Sequence, residues 1–166
     1  MKLKLTLLAG VLAIATAGGV YVFTRVPQAP QVTFKTIAGE AITTAQLKGK
    51  VTLINFWATS CVTCVAEMPK IVQTHEKYRA RGFETIAVAM QYDPPNYVLK
   101  FAETRKLPFK VALDVDGSVA RSFDGVRLTP TTFIVDKQGR IIKQFLGEPK
   151  WDDLYALLEK ALAEPG

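Results

Sequence analysis

The sequence predicts an α/β fold, a three-layer α/β/α sandwich around a mixed central sheet, and three observations carry that expectation. Two apolar, β-rich runs, "VTLINFWA" (51–58) and "FETIAVAM" (83–90), fit strands buried on both faces, with a segment of helical length between them. Strand, helix and strand in that order imply a right-handed parallel crossover. Farther on, "TPTTFIVDKQGRIIKQFLG" (129–147) reads as two strands joined by the turn-rich tetrad Asp136-Lys137-Gln138-Gly139, so these two are antiparallel and the sheet is mixed.

Taken in order, residues 1–25, "MKLKLTLLAGVLAIATAGGVYVFTR", are uncharged from Leu5 to Thr24. At about 1.5 Å per residue that run matches the roughly 30 Å hydrocarbon core of a bilayer. Lys2, Lys4 and the α-amine precede it and Arg25 follows, a bias that keeps the N-terminus cytoplasmic and exports the rest. The expectation is a retained signal anchor with residues 5–24 in the membrane. Cleavage after Ala17 is the alternative, since Ala15-Thr16-Ala17 has the small-x-small form a signal peptidase accepts. Both place the domain in an oxidising compartment, where cysteine pairs persist or exchange.

Residues 26–30, with Pro27 and Pro30, read as an extended linker holding the domain off the membrane. The domain itself is assigned to 31–166. "QVTFKTIAGEAIT" alternates around Gly39 and suggests an N-terminal hairpin. A helix is expected from near Cys61 to about Ala80, bent at Pro69. "NYVLKFAETRK" (96–106) has Val98, Phe101 and Ala102 at helical spacing, and "FKVALDV" (109–115) is a third strand. This second helix and strand form an extra central αβ insertion. Residues Ser118 to Phe123 suggest a short helix. Trp151, Leu154, Tyr155, Leu158 and Leu162 mark one face of a last helix, with Asp152 and Asp153 at its positive end and Lys160 near its negative end.

The chain of 166 residues carries a net charge of +6, but without Lys2, Lys4 and Arg25 eighteen basic residues face fifteen acidic ones, a net of +3 spread along the remainder. Runs such as Lys77, Arg79 and Arg81 read as a solvated helix end, and no nucleic-acid partner is expected.

Both cysteines of the chain lie in "NFWATSCVTCVAEMP" (55–69). As a staple, the pair Cys61 and Cys64 closes too short a loop to constrain the unfolded chain, because that stabilisation grows with the logarithm of loop length. As a metal clamp they lack partners. Zinc draws about four ligands, and the one histidine, His75, stands about 16 Å along the same helix, where it reads as an exposed residue. A covalent haem site would need histidine where Val65 stands. The remaining metal option is a two-thiolate copper(I) site. As a reagent the pair is well placed. The first turn of a helix following a buried strand aims free N–H groups and the positive helix end at Cys61, which favours its thiolate. Cys64, nearly one turn on, is within reach to attack a mixed disulfide formed on Cys61.

"GKVTLINFWATSCVTCVAEMP" together with the downstream "LTPTTFIVDKQGRI" resembles the thioredoxin superfamily, and within it the membrane-anchored, extracytoplasmic TlpA/ResA-like thiol–disulfide oxidoreductases. The resemblance covers about residues 31–163 and implies a thioredoxin-like version of the sandwich. It implies that Cys61 is the nucleophile, Cys64 the resolving thiol, Trp57 the aromatic residue before the active-site loop, and Pro130 a cis-proline facing the cysteines. Glu67 and Pro69 match the family's C-x-x-E-M-P tail. The physical case for Pro130 alone leaves two readings, a cis bond costing about 0.5–1 kcal/mol or a trans proline opening a strand. In the cis form Thr129 turns outward to pair with an extended substrate segment.

Three departures stand out. Ser60 occupies a position where relatives usually carry tryptophan. Thr63 replaces a proline and restores an N–H near the sulfur, which is expected to stabilise the thiolate and make the protein more oxidising. Asn55 stands where cytosolic thioredoxins carry a proton-exchanging aspartate, leaving Glu67 either as a substitute base or as a helix surface carboxylate. The resemblance implies a bacterial cytoplasmic-membrane protein, single-pass, whose outer domain reduces disulfides of partner proteins. Clients would be of the apocytochrome c or copper-site assembly type, with a membrane thiol transporter as electron donor. No cofactor is expected beyond the redox-active Cys61–Cys64 disulfide, and no resident metal. A disulfide-forming oxidase and a copper(I)-binding chaperone are the competing functions.

Overall fold

A computed structural model describes residues 26–166, and the expected membrane segment lies outside the described residues. Among them no helix is long and apolar enough to cross a membrane. Within the described residues seven strands and four α-helices follow one another in the expected order. They are β1 (Thr33–Lys35), β2 (Ala41–Thr43), β3 (Val51–Trp57), α1 (Val62–Tyr78), β4 (Phe83–Ala89), α2 (Pro95–Arg105), β5 (Lys110–Leu113), α3 (Ser118–Ser122), β6 (Thr131–Val135), β7 (Ile141–Leu146) and α4 (Trp151–Ala163). Short 3-10 turns occupy Thr44–Leu47 and Arg79–Arg81.

The five-stranded sheet runs β5-β4-β3-β6-β7. β3 pairs in parallel with β4, and β4 with β5, while β6 is antiparallel to both β3 and β7. The sheet is therefore mixed, as the crossover and hairpin signals require. β3 is central and all seven of its residues are buried. A strand covered on both faces reads as a continuous apolar run because neither side of the pleat meets water. Val51, Leu53 and Trp57 point to one face and pack with Met68 and Ile71 of α1, Val98 of α2 and Leu154 and Leu158 of α4. Ile54 and Phe56 point to the other, against Val119 and Ala120 of α3, Phe34 of the hairpin and Leu47. Fully burying side chains such as Leu154 and Leu158 stabilises by about 1.5–3 kcal/mol each, and this holds the helices on the sheet.

The hairpin is docked on the edge of β5, where the Ile37 N–H donates to the Val111 carbonyl at 2.9 Å. The β6–β7 turn is closed by Asp136, whose carboxylate accepts the N–H groups of Gln138 and Arg140 at 3.0 and 2.8 Å. Gly139 within it adopts φ +81°, a conformation that glycine reaches at little cost.

Two expectations are corrected. The stretch read as a free spacer is part of the domain from Pro27 onward. The Ala29 N–H donates to the Gly139 carbonyl and the Ile141 N–H to that of Pro27, both at 2.8 Å, and Ala29 is buried. Proline's extended φ suits a strand edge as well as a spacer, and composition does not separate the two. His75, read as exposed, is buried between α1 and β4, with Nδ1 3.2 Å from the Thr85 hydroxyl and its ring 5.6 Å from that of Phe109. Pro69 sits on the exposed side of α1, which continues through it, and the Val65 carbonyl goes without the donor that any other residue at 69 would supply.

Candidate active site

The site forms where β3 delivers the chain to α1. After Trp57 the chain turns through Ala58, Thr59 and Ser60, and the Cys61 N–H donates to the Ala58 carbonyl at 3.1 Å. Cys61 is the N-cap of α1, with extended φ −86° and ψ 105°, and its Sγ accepts the Cys64 N–H at 3.2 Å. A helix leaves its first N–H groups without backbone partners, and here one is aimed at sulfur. The two cysteines are joined in a disulfide, with Cα atoms 5.2 Å apart. They differ in access: Cys61 is half-buried and Cys64 fully buried. An incoming group therefore meets Cys61 first. Val62 and Thr63, the two residues between them, are exposed, as is Ser60.

The Thr129–Pro130 bond is cis. The pairing of Phe56 with Thr131 sets this proline loop beside the end of β3, and the Pro130 carbonyl accepts the Gly147 N–H at 2.8 Å. Thr129 is half-buried and Pro130 buried. Trp57 lies wholly beneath the surface with its ring 5.0 Å from that of Phe101, so it supports the loop from below and offers nothing to solvent.

A polar cluster lies under the dithiol. Asn55 Nδ2 donates to Glu67 Oε1 at 3.1 Å and to the Thr132 hydroxyl at 2.9 Å. Glu67 is only 1% exposed, which overturns the surface-carboxylate reading. Burial pushes its pKa up from 4.5 to about 7, against the lowering effect of the Asn55 hydrogen bond and with a smaller upward push from Glu148. Glu67 Oε2 and Asn55 Oδ1 have no partner among the described residues. A signal for this burial exists in the sequence: Glu67 and His75 fall on the same i, i+3, i+4 stripe as Cys64, Met68, Ile71 and Tyr78.

Sequence reasoning passed over Tyr92 and Asp93, in the turn after β4. Asp93 accepts the Thr59 N–H at 2.6 Å and the Thr59 hydroxyl at 2.5 Å, and the Tyr92 hydroxyl lies 3.2 Å from that of Thr129. Only an aspartate before Pro94-Pro95 hints at them, as a turn signal. Among the described residues no cluster of three or more His, Cys, Asp or Glu is arranged to hold a metal ion. A cleft of about 610 Å³ between β7 and α4, lined by Phe145, Pro149 and Leu157, contains neither cysteine and stands apart from this chemistry.

Comparison with known proteins agrees with the geometry. The Redoxin family model matches residues 27–160. The thiol-disulfide oxidoreductase ResA of Bacillus thuringiensis subsp. konkukian is 34% identical over 134 residues, covering 80% of this chain and 76% of that protein. ResA of Geobacillus thermodenitrificans is 33% identical over 131 residues, covering 79% and 74%. Among solved structures, a thiol:disulfide interchange protein of the thioredoxin family from Chlorobium tepidum TLS superposes with a TM-score of 0.76 at 27% identity, covering 84% of this chain and 99% of that one. StoA from Bacillus subtilis superposes with a TM-score of 0.66 at 25% identity, covering 77% and 96%.

Proposed function

The chain belongs to the Redoxin family and is a thiol–disulfide oxidoreductase of thioredoxin-like fold, and on that premise we propose that Cys61 attacks and Cys64 resolves in a domain that reduces partner disulfides outside the cytoplasm. The observation that carries this assignment is the placement of Cys61 Sγ at the N-cap of α1, accepting the Cys64 N–H. In the reduced protein that donor and the positive helix end stabilise a thiolate on the more accessible sulfur.

The exchange runs in two displacements. Cys61 thiolate attacks one sulfur of the client disulfide, forming a Cys61–client bond while the client's other sulfur leaves as thiolate and takes up a proton. Cys64, deprotonated, then attacks Cys61 sulfur and expels the second client thiolate. Two electrons pass to the client, and the protein is left with the Cys61–Cys64 disulfide. Cys64 is buried, so its proton needs an acceptor close by. Glu67, one turn beyond it and poised near neutral pH, supplies one. Asn55 holds that carboxylate in place but exchanges no proton itself. Thr129, ahead of the cis-proline, offers backbone to an extended client strand. Trp57 supports the loop, and the exposed Thr63 carries one of the first-turn N–H groups of α1 that have no helical partner.

Residues 5–24 tether this domain to the bacterial cytoplasmic membrane as a single span, with the dithiol on the outer side. A membrane thiol transporter re-reduces it, and its clients are proteins of the apocytochrome c or copper-site assembly type. Charge bias around the apolar run and the ResA-like motifs support this reading. The test is to express Cys64→Ser in the native host and identify what is joined to Cys61. The expected result is a stable mixed disulfide with a few exported proteins. A clean blank overturns exchange with protein partners, and alkylation trapping that finds the wild-type pair mostly oxidised in the cell reverses the direction.

A further inference from the structure

The turn after β4 touches both halves of the site. Asp93 is buried and gives both carboxylate oxygens to Thr59, two residues before Cys61. Its neighbour Tyr92 reaches the other way, to Thr129, the residue before the cis-proline. One dipeptide thus spans from the dithiol loop to the proline loop. Its clamped end is buried and its ring end is open, for Tyr92 is 54% exposed. Two more large apolar side chains stand open next to the same residues in the chain, Val62 between the two cysteines at 83% and Leu128 just before Thr129 at 62%. An aromatic ring whose backbone and hydroxyl are both tethered loses little freedom on contact, which makes it an effective recognition surface.

We propose that Tyr92 is a specificity-determining residue for disulfide exchange: with Val62 and Leu128 it forms an apolar wall beside Cys61 that favours client disulfides flanked by an aromatic or large aliphatic side chain. Asp93 is the positioning residue that fixes the wall relative to the dithiol. The inference rests on the assignment of Cys61 as the attacking thiol. Nothing in the exchange chemistry itself selects among disulfides, because every client presents the same two sulfurs. Discrimination must come from what lies beside them, and one apolar contact made in the transition state separates substrates by about tenfold or more.

The full chain is assayed against two disulfide-bridged peptides alike except for phenylalanine or serine next to the attacked cysteine, and against the small disulfide of mercaptoethanol. Wild type is expected to favour the phenylalanine peptide about tenfold in kcat/KM. Tyr92→Ser brings the two peptides to within about twofold of each other, whereas Tyr92→Phe, which keeps the ring, retains the preference. Asp93→Asn raises KM for the phenylalanine peptide. Both Tyr92 variants reduce the mercaptoethanol disulfide at the wild-type rate, since it is too small to touch the wall. The proposal is overturned if wild type shows no preference, if Tyr92→Ser keeps the wild-type ratio, or if Tyr92→Ser slows the small disulfide as much as the peptides. A wild-type protein that reduces none of the three sinks the assignment of Cys61 instead.

Discussion

Glu67 is buried one helical turn beyond Cys64, with one oxygen bonded to Asn55 and the other unpaired among the described residues. Unfolded it titrates near 4.5, folded near about 7, so between those values the folded chain holds a proton the unfolded chain has shed. Its contribution to stability is full below pH 4.5 and is lost as pH rises through 7, by up to about 3 kcal/mol. Glu67→Gln should therefore gain on wild type between pH 4 and pH 8 by that order, read as a shift in urea midpoints. The same variant should lose the inflection near neutral pH in the turnover of a disulfide substrate, with kcat lowered about a hundredfold. Thr63 stands at the second position of α1, where its N–H has no helical partner. Thr63→Pro removes that donor, and its potential in a glutathione redox buffer should become more negative by about 10–30 mV, the equivalent of one hydrogen bond. An unchanged or less negative value refutes a role for this N–H.

Helix α1 presents Cys64, Glu67, Met68, Ile71, Thr74, His75 and Tyr78 to the interior. Its extent and its apolar stripe were legible, because spacing reports which side faces the sheet. The burial of its polar members was not, since Glu and His are usually outside and only their place on the stripe argues otherwise. His75 is held below its ordinary pKa chiefly by burial. The unfolded chain thus binds a proton that the folded one refuses, and the stability His75 contributes is present above pH 6.5 and lost as pH falls. Glu67 acts in the opposite sense over the same range, so the His75 part is read by difference: the urea midpoint of His75→Gln minus that of wild type should rise from pH 7 to pH 5, even if the variant is less stable throughout. The strands were read more easily still. β3, β4 and β6 are buried on both faces, and no polar alternation obscures them. The clamp from Asp93 to Thr59 was invisible because it joins residues 34 apart in sequence through a turn, and no local pattern encodes such a pair.

At the scale of the molecule, the titrations of Glu67 and His75 push stability in opposite directions as pH falls below neutral, so each partly offsets the other. The domain also begins earlier than its proline content suggested. A chain starting at Val26 keeps the two main-chain bonds of Pro27 and Ala29 to the β6–β7 hairpin, and one starting at Pro30 loses both. The shorter chain should be less stable by about 1–3 kcal/mol in urea titration; equal midpoints would show that the pairing adds nothing. That same pairing has a further effect. The hairpin at β5 and the Pro27–Ala29 segment at the start of β7 cap two stretches of main chain that would otherwise offer spare hydrogen-bonding groups to a stranger. What is left bare on that border runs from Lys143 to Leu146, and an ammonium at its head discourages a second molecule from adding on. A charged residue and a tucked-in strap of three residues thus leave little open edge on which a fibril could start.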